Sequence, residues 1–438
     1  MDSAAIKFDV ERFKLANGLN VLLHVDNSSP LVAYYTWFNV GSKNEEPGFT
    51  GIAHLFEHMM FKGAKRYDGK AFDKILGANG GTNNAFTTRD ATAYYEIVPS
   101  SKLELVIDLE SDRMENLQIT QANLASEREV VKEERRYRVD DSPLGAMHEG
   151  IFSTVFKIHP YRWPVIGWME DLNRITVEKC KQFFRTYYAP NNATVVIAGD
   201  FIAADAKRLI EKYYGGINSS KIPNTVYPEE PAQKSQREAR VSKNVQNEHI
   251  AISFRTPPSS SDEVYSLDIL AEILGGGEYS RLYKKLVYEK QIASQVGTDQ
   301  NNMSGPGVFT IYLSLKPGAS HDDALQTTYS MLWDARNKLF TDRELEIAKN
   351  QVLRDHIEGL KTVSGKASAL GYNEVVFGSF EHLFKDLEKY DSVTLDGLRK
   401  VSAKYLNPEQ RNLVVVNKFA AAPAEEKPAT EDTAGEKQ

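Results

Sequence analysis

One cysteine, Cys180, is all that 438 residues contain, so no internal disulfide framework can hold this chain together. It sits in Val177–Phe183, which reads as an amphipathic helix, and there a structural thiol is the natural reading rather than a nucleophile. Long apolar runs are missing as well, and nothing in the chain reads as a membrane anchor. There is no basic excess: 53 Lys and Arg stand against 60 Asp and Glu, and a net charge of -7 argues against nucleic acid as a partner. Gly80-Gly81 is followed by neither a Lys-Ser/Thr pair nor a helix, which removes a phosphate cradle. No signal peptide is visible at Met1-Asp2-Ser3-Ala4-Ala5; a mature chain can have lost one, so periplasm and cytoplasm both stay open. What is present, 41% hydrophobic and 26% charged residues over a length that suits two or three domains, is the composition of a soluble globular enzyme.

Histidine is also scarce, with nine in the chain, yet two of them fall in His54-Leu55-Phe56-Glu57-His58. Ile52, Leu55, Phe56, Met59 and Met60 recur at the spacing of a buried helical stripe. His54, Glu57 and His58 then share the opposite face. Two imidazoles one turn apart can close on one metal ion, and a carboxylate beside them can take a proton from a metal-activated water. This is a catalytic zinc site in outline, and it needs a third ligand.

The rest of the chain supplies a candidate. Phe8 to Val25 alternates around Asn17-Gly18, a hairpin signal, and Leu31 to Val40 reads as the next strand. A short helix is expected from Asp68 to Leu76, then a strand opening at Gly80 and ending near Pro99. Small and amide residues in Asn84-Ala85-Phe86-Thr87 suit an edge that pairs with an extended peptide. Leu103 to Leu117 is an amphipathic helix; another is expected to open at Ser126, boxed by Glu129. On it Glu127, Val130, Val131 and Glu134 fall on one stripe, whereas Glu133 points away. A buried carboxylate is costly unless paired or bound to metal, so Glu134 is the candidate third ligand and Glu127 can orient a histidine. On those residues alone, a solvated acidic helix is an equally open reading. Residues 145–170 read as aromatic loop, followed by helix 177–188, strand 193–198 and helix 204–214.

Prolines 223, 228 and 231 mark residues 215–240 as a linker between residues 1–214 and a second unit, 241–419. The second unit echoes the first: Phe309–Leu313 answers Ala93–Ile97, and Asp342–Glu344 answers Glu127–Glu129, at offsets of 216 (309 minus 93) and 215 (342 minus 127). The counterpart of Glu134 is then Lys349, and Tyr265–Leu274 holds no histidine, so only the first copy is equipped for metal. Gly275-Gly276-Gly277 reads as a helix-ending turn. Residues 420–438, rich in Ala, Glu and Pro, read as a disordered tail.

With His54-Leu55-Phe56-Glu57-His58, Glu127 and Glu134 in place, the chain resembles the inverted-motif zinc peptidases of the pitrilysin, insulin-degrading and mitochondrial-processing family, over nearly its whole length. The resemblance implies an α+β fold of two homologous halves, each a mostly antiparallel β-sheet covered by helices. It further implies one zinc ion held by His54, His58 and Glu134, with Glu57 as general base, Glu127 behind the ligands, and Asn84, Ala85, Phe86 and Thr87 as the substrate-binding edge strand. Such halves close in pairs around a chamber that admits peptides or unfolded segments.

One departure bears on partners. Single-chain members carry in the second half an Arg and, seven residues on, a Tyr that stabilise the substrate carbonyl. The similar stretch here, Leu286–Gln295, puts Val287 and Ser294, or Tyr288 and Gln295, at those places. Donors of that kind are worth several kcal/mol of barrier. The expectation is therefore the zinc-bearing subunit of a heterodimer whose homologous partner supplies the Arg/Tyr pair. The competing readings are a non-catalytic scaffold subunit and a homodimer using Tyr283 or Tyr288.

Overall fold

A computed structural model describes residues 7–418; the expected tail at 420–438 and the opening Met1–Ala5 lie outside the described residues. Gly18 takes the positive φ of 93° that a tight turn needs, and β1 (Glu11–Lys14) folds back on β2 (Asn20–Val25) as the Asn-Gly pair predicts. These join β3 (Leu31–Phe38), β4 (Thr82–Thr87), β5 (Thr92–Pro99) and β6 (Ala193–Gly199) in a six-stranded sheet of order β1-β2-β6-β3-β5-β4. The second sheet, β7-β11-β8-β10-β9, is built from β7 (Arg237–Lys243), β8 (His249–Thr256), β9 (Ala293–Asn301), β10 (Gly307–Leu315) and β11 (Asn412–Lys418). In each sheet one pair is parallel, β2 with β6 and β7 with β11, and the other pairs are antiparallel. Strand for strand the second sheet repeats the first without β1. The fold is thus α+β in two like halves.

The first half adds α1 (Ile52–Met59), α2 (Gly69–Ala78), α3 (Leu103–Asn116), α4 (Gln121–Arg135), α5 (Pro143–Val155), α6 (Met169–Arg174), α7 (Val177–Tyr187) and α8 (Ala203–Tyr214). The second adds α9 (Glu263–Gly275), the single turn α10 (Arg281–Tyr283), α11 (His321–Asn337), α12 (Asp342–Gly359), α13 (Val363–Val376), α14 (His382–Asp391) and α15 (Leu395–Tyr405). None of the described helices is long and apolar enough to cross a membrane.

The halves exchange helices. α5, from the first, lays Met147, Ile151, Phe152 and Val155 on β7, β8 and β11; α13, from the second, lays Val363, Ala367 and Leu370 on β2, β3 and β6. Both sheets are therefore covered on two faces, which is why β3 and β6 read as nearly unbroken apolar runs. Each exchanged helix brings a glycine to the closest approach: a Cβ on Gly371 would stand 2.0 Å from Trp37 Nε1, and one on Gly150 2.9 Å from Val414.

Several expectations need correction. The stretch from Gly80 to Pro99 is a hairpin, not one strand. Its turn has neither Gly nor Pro; Thr88 closes it, its hydroxyl accepting from the Asp90 and Ala91 amides at 3.1 and 2.9 Å. α4 starts five residues before Ser126, capped by Thr120, whose hydroxyl accepts from Asn123 N at 3.1 Å. Glu129 pairs with Lys132 instead of boxing a cap, and Val130 is 46% exposed rather than on the buried stripe. The supposed aromatic loop opens with α5, which has Ser142 as cap and Pro143 at its first position. The expected linker ends in β7, which begins at Arg237, and it is tied down within: the Glu230 carboxylate accepts from the Lys157, Ile158 and His159 amides at 2.7, 2.9 and 3.0 Å. Aligned at their threonine caps, Thr120 and Thr341, α4 and α12 correspond at 221 positions (341 minus 120), so Asp355 rather than Lys349 stands opposite Glu134. Cys180 is buried, and burial pushes its thiol up to about 12, as suits an inert core residue.

Candidate metal centre

α1 owes its position to a carboxylate that is remote from its chemistry. The buried Glu45 accepts from the Gly51 and Ala53 amides, both at 2.9 Å, and so satisfies the exposed donors of the helix start. Ile52, Leu55, Phe56 and Met59 bury against the first core, with Phe56 stacked on Tyr188 at 5.2 Å. That stripe turns His54, Glu57 and His58 toward α4, which packs across α1.

There the remote carboxylate arrives. Glu134 Oε2 lies 3.6 Å from His54 Nε2 and 3.2 Å from His58 Nε2, yet makes no aligned hydrogen bond to either ring. One donor atom from each of the three side chains lies within 4.8 Å of the others, and this is the metal-competent group among the described residues. Three donors converging without hydrogen-bonding one another is what a shared cation requires, so the residues fit a metal ion. Burial, with His58 alongside, lowers the His54 imidazole to about 4, which keeps it neutral and available as a ligand. His58 is raised: burial opposes its charge, but Glu134, Glu57 and Glu127 outweigh burial. Arg138 Nη1 holds the other Glu134 oxygen at 3.1 Å.

Glu57 is separate from this trio. Its Oε2 accepts a 2.6 Å hydrogen bond from the Thr87 hydroxyl, and burial raises its pKa against the pull of that bond. Glu127 is 3% exposed; its Oε2 stands 3.7 Å from His58 Nδ1, beyond a good hydrogen bond, while its Oε1 pairs with Lys62 at 2.7 Å. Lys62 and Arg138 carry no sequence signal that marks them; each is legible only once α1 and α4 are docked.

The expected edge strand divides by face. Among the described residues β4 has one neighbour, β5, and its other edge is free. Alternation puts Ala85 and Thr87 on the α1 side, but Phe86 on the opposite side, where its ring meets Trp37 edge-on at 5.3 Å. Phe86 is therefore a packing residue. Asn84 is exposed, its Oδ1 accepting from Ala85 N at 2.9 Å. Beyond Thr87 the cavity that opens on His54 and Glu134 is walled by Arg89, Arg138, His148 and Glu149. Neither Tyr283 nor Tyr288 lines it; Tyr288 is exposed and donates to Glu278 at 3.2 Å. Gln295 lines a neighbouring cavity that shares His148 with the first.

With this geometry in view, likeness to known proteins becomes informative. Residues 20–167 match the family described as Insulinase (Peptidase family M16), and residues 174–352 match the Peptidase M16 inactive domain. The chain is 30% identical to the zinc protease PqqE of Helicobacter pylori over 408 residues, 92% of each chain. It is 26% identical over 421 residues to the uncharacterized zinc protease YmxG of Bacillus subtilis, covering 95% of this chain and all of that one. A crystal structure of a protease from Helicobacter pylori superposes with a TM-score of 0.89 at 30% identity, over 94% of this chain and 99% of that one. A putative M16-like peptidase from Alicyclobacillus acidocaldarius shares the fold, with a TM-score of 0.83 at 22% identity over 94% and 99% of the two chains. Fold and site together thus define a metallopeptidase scaffold. The chain belongs to the insulinase (M16) peptidase family.

Proposed function

We propose that this chain is the zinc-bearing subunit of a metalloendopeptidase that hydrolyses peptides or unfolded polypeptide segments. The observation that carries this reading is the convergence of His54, His58 and Glu134 beside a separate carboxylate, Glu57, aimed by Thr87. Two imidazoles and one carboxylate are the donor set of a catalytic zinc site with an open position, and the relatives named zinc proteases support that metal. Zinc bound there supplies a Lewis acid that acidifies water and draws charge from a peptide carbonyl.

The protein's own groups do the rest. Glu57 takes the proton of the attacking water as its oxygen bonds to the carbonyl carbon, then returns that proton to the amine as the C–N bond breaks. Its raised pKa suits a group that must do both, and the Thr87 hydroxyl keeps it in place between the two transfers. Glu127, anchored by Lys62, steadies His58 through charge rather than a direct hydrogen bond. An extended substrate adds to the free edge of β4, main chain to main chain, with Ala85 and Thr87 toward the chemistry.

Neither Tyr283 nor Tyr288 lines this cavity to serve the substrate carbonyl, which supports a homologous partner bearing an Arg/Tyr pair that completes the enzyme. Peptide cleavage by the purified chain, alone and mixed with a homologue that bears such a pair, tests this. Cleavage should rise by about two orders of magnitude with the partner. Full activity of the chain alone would refute the division of labour; no cleavage and no bound zinc in either case would favour a scaffold subunit instead.

A further inference from the structure

The cavity that opens on His54 and Glu134 holds one cation with no carboxylate paired to it. Glu134 is held by Arg138 at 3.1 Å, Glu149 by Arg135 at 2.8 Å, and Asp90 by Lys43 at 2.7 Å. Arg89 is left over. It lines the same cavity as His54 and Glu134, is 7% exposed, and among the described residues has no carboxylate in contact with its guanidinium. Its Nε donates to the Tyr161 carbonyl at 3.2 Å, and its guanidinium carbon lies 3.3 Å from the centre of the Phe152 ring. Among the described residues Nε is the guanidinium nitrogen with a hydrogen-bond acceptor, and the two terminal nitrogens are left to the cavity.

A largely buried cation with no carboxylate partner is costly, and its two contacts, the Phe152 face and the Tyr161 carbonyl, leave its charge unneutralised. The burden is visible in the group itself, since burial lowers the Arg89 guanidinium to about 9 against the help of Tyr161 and Asp90. Its placement is rigid. The Arg89 carbonyl accepts from Lys43 N at 3.0 Å, and the neighbouring Asp90 is pinned by Tyr161 at 2.6 Å and by the Ser304 hydroxyl at 2.5 Å. Arg89 also follows Thr87 by two residues, just past the end of β4, so a chain lying along that edge passes the guanidinium close to the bond that Glu57 serves.

We infer that Arg89 is a specificity-determining residue that selects peptides presenting a carboxylate, an acidic side chain or the C-terminus, a few residues from the scissile bond. The planar guanidinium, fixed on Phe152 and facing the cavity, offers two parallel N–H groups to such a carboxylate, a geometry lysine cannot match. His148, packed beside Arg89 and held neutral by burial, shapes the wall without adding a competing charge. This inference rests on the peptidase reading above and extends it to substrate class.

The test uses the zinc-loaded Glu57→Gln chain, which should bind but not cleave, and labelled peptides of one length carrying Glu, Gln or Lys at successive positions, each with a free or an amidated C-terminus. Fluorescence anisotropy should give a Glu peptide about tenfold tighter than its Gln twin at one register, with Lys weaker than either. If amidation alone removes the preference, the terminal carboxylate is the source; if it survives amidation, the side chain is. Arg89→Met should erase the Glu/Gln difference, and Arg89→Lys should restore part of it. Should Arg89→Met fail to fold, the Glu/Gln ratio on the chain with Arg89 intact still decides. Equal binding of Glu and Gln peptides there overturns the inference and leaves the peptidase reading standing. In the active chain with its partner, an equal fall in kcat for both peptides on Arg89→Lys would also overturn it, since Arg89 would then act on the reacting carbonyl. Failure to bind any peptide would remove the peptidase reading and this inference with it.

Discussion

Two helix pairs meet in the same way in the two halves, α1 against α4 and α9 against α12, and among the described residues only the first brings together three side chains that could hold a metal. Their buried stripes align, Ile52, Leu55 and Met59 with Leu267, Leu270 and Leu274, 215 positions apart (267 minus 52). In that register His54 and His58 face Ile269 and Ile273, Glu57 faces Glu272, and the cap alignment sets Ala348 where Glu127 stands. Where the first half gathers unbonded donors, the second closes a bidentate pair, Arg281 to Glu344 at 2.6 and 2.8 Å. The scaffold is therefore stable with isoleucine in place of imidazole. The desolvated His54 and the crowded carboxylates of the first half have no counterpart in the second, and on the proposed function their cost is borne for chemistry.

The sharpest way to break this comparison is to treat the two matched carboxylates alike. Glu57→Gln should lower peptide turnover by about 100- to 10,000-fold with zinc content unchanged, while Glu272→Gln should leave turnover as it was. Similar losses from both, read by initial rates and metal analysis, would mean the halves are not functionally distinct. Next in size is Glu127→Gln, which leaves Lys62 without its partner and should weaken zinc binding by about 10- to 100-fold, whereas the second half already has Ala348 there.

The exchanged helices allow a second comparison. Gly371→Ala drives a methyl into the buried Trp37 indole and should cost about 1–3 kcal/mol by thermal denaturation. Gly150→Ala meets only a Val414 methyl at 2.9 Å, and the helix propensity gained, about 1 kcal/mol, should offset most of the strain. Equal destabilisation would mean the two crossings are equally tight.

The smallest expected effect is one of pH and belongs to the second half. Burial raises Asp268 to about 7, against the hydrogen bonds it accepts from Tyr390 at 2.6 Å and Asn302 at 3.0 Å. In the unfolded chain the same group titrates near about 3.9, so between those values the folded state holds a proton that the unfolded state has released. Stability from this group is full below about pH 4 and is lost as pH rises through about 7. Urea midpoints should fall across that window, and Asp268→Asn should flatten the decline; an unchanged slope would exclude the assignment.

Much of the site was legible in the sequence because its chemistry and its periodicity coincide. His54, Glu57 and His58 share a face whichever way the helix ends, and Glu134 lies on the buried side of α4 even with that helix started at the wrong residue. The misreadings come from signals that tertiary contacts override. Thr88 closes a turn with its hydroxyl where no glycine or proline announces one. Ser126 and Glu129 mimic a capping box inside a helix whose real cap, Thr120, lacks the usual acid partner. α5 was hidden because Gly145 and Gly150 weaken its propensity, and Gly150 is there only to admit β11 of the other half. Arg89 carries no pattern in the sequence at all; its isolation from carboxylates exists only in the folded cavity.

The central proposal is that one half of this chain holds one zinc ion and the other holds none. Calorimetric titration of zinc into metal-free protein tests it directly. The account predicts one tight site per chain that disappears in Glu134→Gln and is untouched in Asp355→Asn. No tight site, two sites, or a site that survives Glu134→Gln would contradict it.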